Sequence, residues 1–201
     1  MKKVIFMLFL AVLAASISMA DVLFTENNKM SLGFLADTSG FRNGVLIGGG
    51  FGLNNRLELD MSYTNVNEGG VTVQIVVPGI KYYLLKPDEN NIWFWSLKGD
   101  YLIINASSGS SALSASGYFI GTDLGLDLKA LPGYKIMPYV GVVQVNYSIG
   151  STTVNKTAPR VGAYLGIPLG GGTVVYVKQL LTFMDNQSNY SAAIGYHLPI
   201  N

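Results

Sequence analysis

Leu57-Glu58-Leu59-Asp60-Met61-Ser62-Tyr63-Thr64 alternates apolar and polar side chains at every position. A helix, repeating every 3.6 residues or so, would scatter these side chains around its circumference, whereas a strand sends about every second residue to the same face. The segment therefore reads as a strand with one apolar and one polar face. Further along, Tyr118, Ile120, Thr122, Leu124, Leu126 and Leu128 alternate with Phe119, Gly121, Asp123, Gly125, Asp127 and Lys129. Residues 45–53 and 160–167 follow the same rule, with glycine filling much of the second face. Helical periodicity is almost absent beyond residue 20.

The pattern divides the chain into ten strands, near 30–36, 44–53, 56–65, 71–85, 91–104, 116–130, 135–149, 159–169, 173–183 and 189–198. Asn54-Asn55, Lys86 to Asn90, Leu131 to Tyr134 and Gly170 to Gly172 read as tight turns, rich in Gly, Pro, Asn and Asp. Asp37 to Asn43, Val66 to Gly70, Asn105 to Ala115, Gly150 to Ala158 and Met184 to Ser188 read as longer polar loops. Pro78-Gly79 breaks the alternation of its strand and reads as a bulge. An even number of strands, short turns on one rim, loops on the other and both termini on the short-turn side make the layout of an antiparallel up-and-down transmembrane β-barrel. Eight strands is the alternative count, with the first two preceding the barrel.

Composition agrees with that layout. Of 201 residues, 49% are hydrophobic, 24 are glycine and only 12% are charged, too apolar for a disordered chain and poor in charge for a soluble surface. Lysine plus arginine number 13 against 12 acidic residues, so no basic field recruits nucleic acid. The lack of cysteine excludes disulfides, thiol nucleophiles and cysteine-ligated metals, and a single histidine, His197, excludes a histidine-rich metal site. Met1-Lys2-Lys3, the apolar run Val4 to Ala15 and Ser18-Met19-Ala20 read as a secretory leader over residues 1–20, expected to be removed before Asp21. A transmembrane anchor fits less well, because the run falls short of the roughly 20 residues that a spanning helix needs. Residues 21–201 then form one domain, and membrane residence would have to use strands.

Aromatic residues fall in two bands. Tyr82, Trp93, Trp95, Tyr139 and Tyr196 lie near the short-turn rim, and Tyr63, Tyr118, Tyr147, Phe183 and Tyr190 near the loop rim, as expected of girdles at membrane interfaces. With the apolar faces outward, the lumen receives Glu58, Asp60, Asp100, Asp123 and Asp127 together with Lys81, Lys98, Lys129, Arg160 and Lys178. Alternation alone does not separate inside from outside, and a soluble barrel or sandwich would turn these charges to water. The leader, the bands and the sparse charge favour the membrane arrangement, in which a cation facing the bilayer midplane would cost about 2–4 kcal/mol. Such a balanced lumen is expected to pair its own charges and act as a seal. The alternative is a narrow passive channel with Glu58, Asp60, Lys98, Asp100, Asp123 and Arg160 setting selectivity.

Gly48-Gly49-Gly50-Phe51-Gly52-Leu53-Asn54-Asn55-Arg56-Leu57-Glu58-Leu59 followed by Tyr63, then Val77-Pro78-Gly79-Ile80-Lys81-Tyr82-Tyr83 and Pro138-Tyr139-Val140-Gly141-Val142, resemble the small outer-membrane β-barrels of the opacity and OmpA-type superfamily. The resemblance spans most of residues 21–201. It implies a fold, a place in the bacterial outer membrane, contact with outer-membrane lipid and insertion by the barrel assembly machinery, without implying a substrate. Family members usually have eight strands and end in an aromatic residue, whereas this chain ends Leu198-Pro199-Ile200-Asn201.

Little in the chain points to chemistry. Barrel hydrolases need a serine–histidine pair, and His197 sits at the short-turn rim, away from where outer-leaflet lipid would lie. Asp123 and Asp127 share a face, but Lys98 and Lys129 neutralise them more simply than a metal would. The glycine clusters match no nucleotide-binding fingerprint. The expectation is a non-enzymatic outer-membrane barrel without cofactor, with a charged, occluded lumen and a structural or surface-interaction role. A porin-like channel and a soluble secreted β-barrel binding protein are the alternatives.

Overall fold

The computed structural model describes residues 29–36, 44–53, 56–68, 70–128, 134–149, 151–171, 173–184 and 187–199. The leader and Lys129 lie outside these residues, as does the side chain of His197. Ten strands follow one another: β1 (Lys29–Ala36), β2 (Gly44–Gly52), β3 (Leu57–Glu68), β4 (Val71–Leu85), β5 (Trp93–Ser108), β6 (Ser111–Leu126), β7 (Lys135–Ile149), β8 (Thr152–Gly170), β9 (Thr173–Met184) and β10 (Gln187–Pro199). Each pairs antiparallel with the next, and β10 pairs with β1, so the sheet closes into an up-and-down barrel. Closure requires tilt. A row of paired residues starting at Phe34 reaches Thr153 of β8 by way of β2 to β7, but Leu165 of the same strand by way of β10 and β9. That offset is the stagger of a barrel whose strands are inclined to its axis.

The rim expected to carry long loops is made mostly of tight turns. Residues 69–70, 109–110, 150–151 and 185–186 are all that separate four of its five strand pairs, and the fifth connection, 37–43, lies outside the described residues. Gly70 and Gly109 adopt φ of 79° and 57°, the left-handed conformation that such two-residue hairpins demand. Residues 105–108, 111–115 and 152–158 are strand instead of loop. On the opposite rim the longer connection Lys86 to Ile92 is held by Asp88, whose Oδ1 accepts from the backbone N–H groups of Asn90 and Asn91 at 2.8 and 2.9 Å.

The polar stretches misread as loops keep strict alternation with reversed polarity. Near the hairpin rim Asn105, Ser107, Ser114, Ser116, Gln144, Asn155 and Thr157 point outward, while Ile104, Ala115, Val143, Val145 and Ala158 are buried inside. Below this collar the outward residues are apolar and exposed, among them Leu59, Met61, Ile80, Leu97, Ile120, Val140 and Val161. Pro78-Gly79 is the same turnover within β4. Pairing with β3 runs unbroken through Met61↔Pro78 and Asp60↔Gly79, and the irregularity in β4 lies at Tyr83/Leu85. Inward Val73, Ile75 and Val77 simply give way to Gly79 and Lys81, so no bulge is present there.

Adjacent positions on β7 provide a test. Val145→Asp puts a carboxylate among buried aliphatic groups and should cost about 3 kcal/mol or more, whereas Asn146→Asp, facing outward, should cost less than about 0.5 kcal/mol. Denaturant titration of the two refolded variants in detergent or lipid measures the difference.

Candidate functional site

The interior is stratified. Read from the hairpin rim, β4 sends inward Val73, Ile75 and Val77, then Lys81, then Tyr83, and β5 sends in Ile104 and Leu102, then Asp100 and Lys98, then Phe94. β8 repeats the order with Ala158, Arg160 and Tyr164, and β9 with Met184 and Leu180, then Lys178, then Tyr176. An aliphatic tier thus lies toward the hairpins, a charged tier in the middle, and an aromatic tier of Tyr83, Phe94, Tyr139, Tyr164 and Tyr176 toward the termini. Tyr164 and Tyr176 stack at 5.6 Å with their planes 18° apart, and Phe94 tilts against Tyr139 at 6.4 Å.

The middle tier gathers Glu58, Asp60, Lys81, Lys98, Asp100, Asp123, Arg160 and Lys178, all nearly inaccessible to solvent. Arg160 grips Asp123 with two parallel bonds, Nε to Oδ1 at 2.8 Å and a terminal nitrogen to Oδ2 at 2.6 Å, the fork geometry that makes this pairing strong. Lys98 lies between two carboxylates, 3.4 Å from Asp100 and 4.0 Å from Asp60. The Tyr83 hydroxyl donates to Glu58 at 3.2 Å, and the Lys81 ammonium lies 5.7 Å from the centre of the Tyr83 ring. Asp123 thus takes Arg160 as its partner in place of the lysines expected from sequence. Asp127 sits below the tier at the rim, half-buried, with its N–H donating to the Ile92 carbonyl at 2.6 Å.

Glycines on neighbouring strands are the sockets for these groups. A Cβ at Gly79 would collide with the carboxylates of both Asp60 and Asp100, one at Gly141 with that of Asp123, one at Gly125 with the Phe94 ring and one at Gly162 with the Tyr139 ring. Gly121 leaves room for the Arg160 guanidinium, 3.3 Å from where its Cβ would stand. Close approach of side chain to backbone is thus what the inward glycines supply.

On the outer surface Tyr63, Tyr82, Trp93, Trp95, Tyr118, Phe183, Tyr190 and Tyr196 are exposed. The Trp95 indole N–H donates to Thr122 at 2.8 Å, and the Thr122 hydroxyl donates in turn to the Ser96 carbonyl at 2.9 Å. Tyr139 and Tyr147, expected in these outer bands, are instead interior, with exposures of 3% and 4%. The reason is local: β7 is apolar on both faces from Ile136 to Val143, so composition does not decide the parity of Tyr139, and Gly125 and Gly162 provide space for it only on the inside, whereas Tyr147 lies where the polar face of Gln144, Asn146 and Ser148 is the outer one. Tyr101 and Tyr134 were missed as outward aromatics, and Tyr83, Phe94, Tyr164 and Tyr176 as interior ones. The signal for the interior set was present, since each shares the parity of a lumenal charge on its own strand. Among the described residues no three His, Cys, Asp or Glu side chains come together as a metal site.

No protein-family model matches the sequence, and no curated protein matches it either. Solved structures do. The β domain of the Bordetella autotransporter BrkA superposes with a TM-score of 0.55 at 15% identity, covering 78% of this chain and 73% of that one. The outer-membrane protease OmpT of Escherichia coli matches at 0.43 and 10% identity over 89% of this chain and 96% of that one. The N-terminal barrel of Pseudomonas aeruginosa OprF matches at 0.37 and 11% over 86% and 98%. The likeness to the autotransporter domain shows that the fold is that of outer-membrane β-barrels.

The Arg160–Asp123 pair yields a prediction. Arg160→Met strands a buried carboxylate and should cost about 3–5 kcal/mol, while Arg160→Met with Asp123→Leu should recover most of that loss. A double-mutant cycle on unfolding free energies checks both statements.

Proposed function

We propose that the protein resides in the bacterial outer membrane as a closed, non-conducting and non-enzymatic barrel with a structural or surface-interaction role. The observation that carries this reading is the sandwiching of the charged tier between the aliphatic and aromatic tiers, with its described side chains packed to near-zero solvent access. Charges held in mutual pairs behind apolar layers on either side offer no continuous wet path for an ion. The outer surface supports the same reading. A belt of exposed Leu, Ile, Val, Trp and Tyr suits lipid, and the uncharged collar of Asn, Gln, Ser and Thr above it suits headgroups, sugars or water. That collar bonds across strands, with Ser114 donating to Asn105 at 3.0 Å and Gln144 to Asn155 at 3.3 Å, and is the face open to partners outside the cell.

Conductance of the purified protein in planar lipid bilayers tests the seal. The native chain should give no stable steps, whereas replacing Val77, Leu102, Phe119 and Val145 together by serine should admit water and produce them. Steps from the native chain whose selectivity changes with Asp100→Ala would establish the channel instead. Orientation is tested separately: in a chain without other cysteines, Ser110→Cys at a hairpin tip should react with a membrane-impermeant maleimide on intact cells. Reaction only after lysis would invert the assignment of the two rims.

A further inference from the structure

We infer that Gln179 marks a contact between two copies of this chain within the membrane, an inference that rests on the membrane residence proposed above. Gln179 lies on the outward face of β9, exposed, between Val177 and Leu181 and about midway along the strand. Its strand neighbours are Ala163 on β8 and Ala192 on β10, with Pro138 on β7 next in the same row. Among the described residues the amide meets no hydrogen-bonding partner. The other polar side chain in this apolar belt, Thr122, is satisfied by Trp95 and Ser96. Hydrocarbon cannot satisfy an amide, so an open donor and acceptor in the middle of the belt call for a protein partner in the plane of the membrane.

The occupant to which the chemistry commits is a second copy. A carboxamide carries both a donor and an acceptor and is complementary to itself across a two-fold axis, the symmetry of most homodimers. Ala163 and Ala192 lower the surface on both sides of Gln179, so two β9 strands can approach until the amides meet and each packs over the other's alanines. Apart from Gly99 on β5, the rest of the described belt presents mostly bulky Leu, Ile, Val and aromatic side chains, which hold a neighbouring barrel away and suit lipid tails.

The experiment uses the full chain. Flotation with phosphatidylcholine vesicles comes first, then sedimentation equilibrium in density-matched detergent of the native protein and Gln179→Leu, an outward change that leaves the interior intact. The native protein should sediment as a dimer, and Gln179→Leu should raise the dissociation constant about 3- to 30-fold, the range expected of one membrane-buried polar contact. In vesicles, Gln179→Cys should form a disulfide-linked dimer on mild oxidation, and Met61→Cys on β3 should not. A monomeric native protein, an unchanged constant in Gln179→Leu, equal cross-linking at both positions, or cross-linking of Gln179→Cys only to a different protein would each overturn the inference. Failure to float with vesicles would overturn the membrane reading itself and leave Gln179 an ordinary amide in water.

Discussion

A side chain on a closed antiparallel barrel has two destinations, the interior or the outer surface, and its parity along the strand decides which. Once register is set around the whole ring, no residue can change sides without displacing every neighbour by one position. Everything else in this molecule is arranged within that constraint. The polar set therefore does not stay on one face. It lies inside through the apolar belt and outside through the collar, and only the polarity attached to each parity turns over, near Val77 on β4 and between Asp100 and Leu102 on β5.

The stacked interior follows from the same geometry. A buried charge is tolerable only when paired and packed, and pairing in a narrow lumen requires that opposite groups come from different strands at one height. Asp123 of β6 and Arg160 of β8 meet across β7 because Gly141 has no side chain to stand between them. Lys98 is shared by Asp60 and Asp100, which converge over Gly79. Glycine is abundant here because each large inward group needs a neighbouring strand with nothing in the way. The aliphatic and aromatic tiers then close the charged one from either end, so the interior resembles a packed core more than a water-filled pore.

Strand identity was legible almost residue by residue where hydrophobicity alternated, as in Leu57 to Thr64 and Tyr118 to Leu126. Glu58, Asp60, Lys81, Lys98, Asp100, Asp123, Arg160 and Lys178 could be grouped from parity alone. What misled was composition. Serine, asparagine and glycine around 105–115 look like a loop because loops are polar, yet a strand leaving an apolar belt is polar on its outer face for a different reason. Tyr139 was misplaced because β7 is apolar on both faces around it, where period-two patterning carries no sign, and Tyr147 because the polar face beside it, Gln144, Asn146 and Ser148, looks outward there.

The sequence by itself determined that the chain would be a succession of alternating strands and which residues of each strand would share a face, because the two-residue repeat is local and covalent. Only the tertiary structure decided which way each face points along its length, which acid meets which base, and that the hairpin rim is tight. Those depend on the stagger of the closed ring and on the empty space that glycines leave on adjacent strands, neither of which any single strand contains.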